Sequence, residues 1–143
     1  MERFFGKYTI SDDRGMLDLD AVRGFIERSY WGKTRPLERT YKAIDNSHCF
    51  GVYDSDRRQV GFARVVTDYA TCYYLCDVYI DEAHRGEGIG KALVGAIVGM
   101  EELQGITGIL ATDDAFGLYE PFGFVREPER MMRKPSSWAA QPE

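Results

Sequence analysis

Arg85-Gly86-Glu87-Gly88-Ile89-Gly90-Lys91 is the stretch whose reading decides the fold. Before it stands Tyr73-Tyr74-Leu75-Cys76-Asp77-Val78-Tyr79-Ile80, an unbroken run dominated by β-branched and aromatic residues, which reads as a strand. After it, Ile89, Ala92, Leu93, Ala96, Ile97 and Met100 recur at helical spacing. A glycine-rich turn that opens a helix presents unpaired N–H groups and the positive end of the helix dipole. It is therefore an anion site, most often a phosphate site. Arg85 and Lys91 add positive charge there, and Gly86, Gly88 and Gly90 let the backbone approach a diphosphate without an intervening Cβ.

Three phosphate-loop templates compete. A P-loop needs Gly, four residues and then Gly-Lys-Ser/Thr. Aligned on Gly90-Lys91, it finds Arg85 in place of the first glycine and Ala92 in place of the magnesium hydroxyl, so nucleotide hydrolysis is not expected. The dinucleotide pattern Gly-x-Gly-x-x-Gly ends on Lys91 in one register and Leu93 in the other, and fails in both. The third, Arg/Gln-x-x-Gly-x-Gly/Ala, is met at Arg85, Gly88 and Gly90. On these residues the chain resembles the GNAT superfamily of acetyl-CoA-dependent N-acetyltransferases. Leu118-Tyr119-Glu120-Pro121-Phe122-Gly123-Phe124 is similar to the family's second signature, and the stretch from about Val52 to Val125 follows its order of elements. The resemblance implies an α/β (α+β) fold of the GNAT acyl-CoA N-acyltransferase type, a mixed, mostly antiparallel central sheet flanked by helices.

A chain of 143 residues is one domain by size, spanning 1–143, with 135–143 expected to form a flexible tail. A hydrophobic fraction of 44% and a charged fraction of 29% describe a soluble globular protein. The net charge of −5 argues against nucleic acid as the main partner. Cys49, Cys72 and Cys76 are odd in number and lack metal-type spacing, so they read as reduced thiols in a cytoplasmic protein, with no metal. Neither a signal peptide nor an apolar run of ~20 residues is expected, hence no membrane partner.

Along the chain, we expect a strand at Lys7–Ser11 and a helix over Leu17–Tyr30. A second helix should run from Pro36 to about Asn46, with Thr34 as its cap. Strands at Ser47–Tyr53 and Gln59–Thr67 flank a polar hairpin loop. The long strand ending at Ile80 should lie centrally. The glycine loop then opens a helix running to about Leu103. A strand at Ile109–Thr112, a helix at Asp114–Tyr119 and a last strand near Phe124–Lys134 complete the order.

The resemblance implies acetyl-CoA as cosubstrate and direct transfer of its acetyl group to a primary amine. A small-molecule amine is the first expectation for the acceptor. A protein N-terminus or lysine is the second, and a CoA-binding sensor without catalysis the third. The cofactor's diphosphate would sit on Arg85, Gly86, Glu87, Gly88, Ile89, Gly90 and Lys91. Its pantetheine arm would lie along Val78, Tyr79 and Ile80, where the family bulges the strand so that an N–H near Val78 polarises the thioester. Tyr119 matches the family's tyrosine, and a phenol of pKa ~10 stays protonated and can donate to a departing thiolate.

Asp77, the one carboxylate of the central strand, carries two readings: a base whose pKa burial raises, or a structural partner of Arg64. His84 is a weaker base candidate, and Asp113 and Asp114 read as helix caps. Tyr30, Trp31 and Arg35 lie in an aromatic, cationic loop suited to the acceptor. There Trp31 packs an apolar part and Arg35 pairs with a carboxylate, or the same residues anchor the loop to the core. A homodimer is compatible with this reading.

Overall fold

The computed structural model of the chain describes residues 1–139. Its strands β1 (Glu2–Phe5), β2 (Tyr8–Ser11), β3 (His48–Tyr53), β4 (Gln59–Thr67), β5 (Cys72–Ile80) and β6 (Thr107–Ile109) lie in sequence order across one sheet. Neighbours from β1 to β5 are antiparallel, and β6 joins β5 in parallel. Helices α1 (Leu19–Arg28) and α2 (Leu37–Asp45) intervene between β2 and β3. Helix α3 (Ile89–Val98) forms the crossover between the parallel strands, and the short α4 (Phe116–Tyr119) follows β6. This is the mixed, mostly antiparallel sheet with flanking helices that the sequence implied.

Alternation along the strands builds a core on each face of the sheet. On one face Ile89, Leu93, Val94 and Ile97 of α3 pack on Phe50, Val52, Val65 and Leu75. On the other, Val22, Phe25 and Ile26 of α1 and Ile44 of α2 cover Cys49, Phe62 and Tyr79. Each fully buried apolar side chain contributes about 1.5–3 kcal/mol. The sheet is thus held from both sides around β4 and β5, the strands that carry the site.

Several boundaries differ from expectation for local reasons. Helix α1 starts at Leu19 because the Asp18 carboxylate caps it, accepting from Ala21 N at 3.1 Å. Pro36, rather than Thr34, occupies the cap position of α2. Helix α3 stops at Val98, before Gly99, and a separate 3₁₀ turn (Glu101–Leu103) precedes Gly105 at φ +76°. Asp113 and Asp114 do not cap α4; the Thr112 hydroxyl accepts from Ala115 N at 3.0 Å instead. Strand β1 was not foreseen, and β6 lies earlier than Ile109–Thr112.

The last expected strand, Phe124–Lys134, does not form. Arg126-Glu127-Pro128-Glu129-Arg130 interrupts any alternation with charge and a proline that cannot donate, and turns through Arg130 N to Glu127 O. Of the expected tail, Trp138 lies under the Arg39 guanidinium of α2 at 5.1 Å, while 140–143 fall outside the described residues. No helix among the described residues is long and apolar enough to cross a membrane.

Candidate functional site

The register between β4 and β5 breaks at one place. Phe62 faces Tyr79 and Arg64 faces Cys76, so Asp77 and Val78 together oppose the single residue Ala63. Asp77 is the extra residue, with φ +53°, a left-handed conformation that Asp tolerates better than most side chains. This β-bulge is the feature the resemblance implied and no side chain announced. It bends β5 and disturbs the ladder beside Val78. On the opposite edge, β6 pairs with Cys72–Tyr74, so among the described residues β5 has no strand partner on that side from Leu75 to Ile80. An extended polar chain can hydrogen-bond there.

The glycine loop lies at the end of this open edge. Gly88 caps α3 at φ +83° and offers no side-chain acceptor, which leaves the first N–H groups of the helix without a side-chain partner among the described residues. Gly86 is also left-handed, at φ +85°, and a Cβ there would meet nothing within 4 Å. A Cβ at Gly90 would lie 3.8 Å from Ile80 and 3.9 Å from Leu118, where β5, α3 and α4 converge. Lys91 is exposed. Arg85 is fastened to the strand end: its Nε donates to Ile80 O at 2.9 Å and its guanidinium lies over the Tyr79 ring. The Tyr79 side chain itself is buried, stacked on Phe25. The arrangement can hold an anion at the helix start and an extended arm along Val78 to Ile80.

Asp77 is buried and fully engaged. Its Oδ1 accepts from Trp31 Nε1 at 2.9 Å and Arg35 Nη2 at 3.0 Å; its Oδ2 accepts from Arg35 Nη1 and Arg64 Nε, both at 2.9 Å. Burial pushes its pKa up, but the Arg35 hydrogen bonds and the Arg64 and Arg35 charges outweigh it and hold the carboxyl below its ordinary value. Four hydrogen bonds occupy the four lone-pair sites of a carboxylate. Such a group is a weak base, so the geometry favours the structural reading of Asp77, with Arg35 and Trp31 joining Arg64. Those two residues of the acceptor loop thereby serve the bulge.

Tyr119 lies at the end of α4, buried edge-on to Phe124. Burial, with smaller contributions from Tyr30 and Asp114, pushes its phenol up to about 12. Its hydroxyl makes no hydrogen bond among the described residues. Tyr30 is half exposed, and its hydroxyl accepts from Asp113 N at 3.0 Å, which ties the acceptor loop to the segment before α4.

Tyr8 is the site residue that sequence reasoning missed. Its buried hydroxyl donates to Glu87 Oε2 at 2.7 Å and lies 3.0 Å from His84 Nδ1. Because the single phenolic proton goes to Glu87, His84 Nδ1 must be the donor in the second contact. That role removes this nitrogen from base duty. No signal in sequence links β2 to a loop so far along the chain. Among the described residues, no group of three His, Cys, Asp or Glu is arranged to hold a metal.

Residues 45–126, which contain the bulge, the glycine loop and Tyr119, match the family model of the acetyltransferase (GNAT) domain. The chain belongs to the GNAT acetyltransferase family. A GNAT-family protein from Xanthomonas campestris pv. campestris, known from its crystal structure, is 39% identical and superposes with a TM-score of 0.86 over 93% of this chain and 96% of that one. Glucosamine-6-phosphate N-acetyltransferase from Arabidopsis thaliana, at 18% identity and a TM-score of 0.59, shares the fold over 89% of this chain and 97% of its own. Among curated relatives, a Gibberella zeae protein named as an acetyltransferase is 30% identical over 119 residues, 70% of this chain and 66% of that one. A Glycine max protein named histone acetyltransferase TAP1 is 26% identical over 80% of this chain and 55% of its own length. The GNAT domain here thus spans about half to two thirds of these curated relatives.

Proposed function

We propose that this GNAT protein transfers the acetyl group of acetyl-CoA directly to the primary amine of a small molecule. The observation that carries the reading is the bulge at Asp77–Val78, set between an unpaired strand edge and a helix start without a side-chain cap. Acetyl-CoA supplies an activated acyl group as a thioester. The N–H groups opening α3, with Gly86, Gly88 and Gly90, receive its diphosphate, and Val78, Tyr79 and Ile80 receive its arm. The Val78 N–H polarises the carbonyl oxygen. The acceptor nitrogen bonds to the carbonyl carbon as the carbon–sulfur bond breaks. Tyr119 gives its proton to the sulfur, and the amine's proton passes to water.

Asp77 acts here as a positioning residue: it fixes the bulge and ties Trp31 and Arg35 to it. The name of the Glycine max relative supports a second reading, with a protein amine as acceptor. Purified protein incubated with acetyl-CoA and a panel of small amines and lysine peptides, monitored by free-thiol release, tests both. Turnover of small amines above peptides supports the first reading. Peptide preference supports the second, and CoA release that never depends on an added amine overturns both.

A further inference from the structure

Arg35 and Arg64 carry two positive charges against one carboxylate. Both are largely buried, each with 13% of its side chain exposed, and Asp77 is the acidic partner each meets within 4.0 Å among the described residues. Arg64 spends a further donor on Ser47 Oγ at 3.0 Å, a neutral acceptor. One desolvated charge is therefore uncompensated, a costly state in a protein interior. Asp77, the carboxylate that both cations hold, is one residue from Val78, where the acceptor must approach.

The same face continues beyond it as an apolar floor. Arg64 pairs with Cys76, Val66 with Tyr74, and Tyr74 with Ile109 in the parallel ladder, so Arg64, Val66, Tyr74 and Ile109 share a face. Val66, Tyr74 and Ile109 are 43%, 42% and 39% exposed. Residues two apart on a strand are separated by roughly 6.5 Å. Val66, the patch residue nearest the cation pair, thus lies about one such step from Arg64, with Tyr74 directly across the ladder from it.

We propose that the acceptor amine also carries a carboxylate, held by the surplus charge of Arg35 and Arg64, with its apolar body on Val66, Tyr74 and Ile109. An apolar or aromatic α-amino acid has this chemistry. The proposal rests on the acetyltransferase reading and names its substrate class.

The test is a matched set of acceptors: phenylalanine, phenylalaninamide and phenethylamine, compared by kcat/KM for acetyl-CoA-dependent thiol release. The free acid is expected to exceed both others by at least about tenfold, because a site built around a charge penalises a ligand that lacks its partner. Arg64→Gln removes one cation and leaves Arg35 balanced by Asp77, which avoids an orphaned charge. In this variant the acid-to-amide ratio is expected to fall towards one, and Arg64→Lys should restore part of it. Equal or faster turnover of the amide or the amine overturns the carboxylate proposal while leaving acetyl transfer intact. A preference that survives in a folded Arg64→Gln protein overturns it as well. If none of the three reacts although calorimetry shows acetyl-CoA binding, the proposed substrate class fails alone. Absence of acetyl-CoA binding removes the transferase reading and the proposal together.

Discussion

The Tyr8 hydroxyl donates to Glu87 Oε2 at 2.7 Å and so fastens the glycine loop to strand β2. The bond also gives the one carboxylate of that loop a partner within the protein. Without it, Glu87 could turn towards the helix start, where its charge would oppose a bound diphosphate.

Tyr8→Phe should therefore weaken acetyl-CoA binding by about tenfold, the scale of one charge-assisted hydrogen bond. Turnover at saturating acetyl-CoA should change little. Isothermal titration calorimetry and a KM-against-kcat comparison check both statements, and an unchanged dissociation constant contradicts them.

Asp77→Asn keeps the shape of the side chain but removes the charge that Arg35 and Arg64 share. Breaking a buried ion pair from one side costs on the order of 3–5 kcal/mol, so the urea midpoint should fall sharply. The acid dependence follows from the same group. Its folded pKa is held below the ordinary carboxylate value, chiefly by Arg35 and Arg64 against the opposing effect of burial. The stability it contributes is present above the unfolded pKa and is lost as pH falls through the folded one. The wild-type protein should lose stability below about pH 4, and Asp77→Asn should show a shallower loss across that range. If Asp77 were the base, the variant would instead fold normally and lose turnover.

Tyr119→Phe should lower kcat by about a hundredfold, the lower end of general acid catalysis, with little change in acetyl-CoA affinity. With its phenol pushed up to about 12 by burial, Tyr119 stays protonated throughout the working range. The pH–rate profile should accordingly show no descending limb below about pH 10. An early descending limb that vanishes in Tyr119→Phe would show a phenol that titrates lower than its buried position implies.

The three thiols should separate by accessibility. Burial pushes Cys49 up to about 11 and Cys76 up to about 12, whereas Cys72 is exposed. At pH 8 a disulfide reagent should label Cys72 in the native state, and the other two only after denaturation. Rapid native labelling of Cys76 would show that the face beside Arg64 opens more than its packing indicates.

Much of the fold was legible because its signals are local. The apolar run before Arg85, the helical spacing after Gly88 and the Leu118–Phe124 signature each specify an element from neighbouring residues. The expected central place of β5 was not met: it is fifth of six strands and β6 covers only its first three residues, since apolar faces do not show how many strands lie beyond them. What stayed hidden depends on tertiary pairing. The bulge arises from register against β4, and nothing in Cys76-Asp77-Val78 shows that Asp77 takes a left-handed conformation. Trp31 and Arg35 carried two readings in the sequence, because a loop of aromatics and cations looks the same whether it meets a ligand or a buried carboxylate. Tyr8 drew no notice as a site residue, since its partner Glu87 becomes its neighbour only after the sheet has formed. The segment from Phe124 to Lys134 reads as a strand from its apolar ends, but its charged, proline-bearing middle prevails.

The most direct test of the account is calorimetric titration of the purified protein with acetyl-CoA, alongside desulfo-CoA and NAD and repeated with Gly88→Trp. Gly88 has φ +83°, and the Phe5 ring stands 3.4 Å from where its Cβ would be, so an indole there obstructs the helix start. The account predicts saturable binding of both CoA species, no binding of NAD, and loss of CoA binding in a Gly88→Trp protein that still melts cooperatively. Failure of either CoA species to bind the wild-type protein, or unchanged binding in the variant, would contradict the assignment of the Arg85–Lys91 loop and the acyl-transfer chemistry built on it.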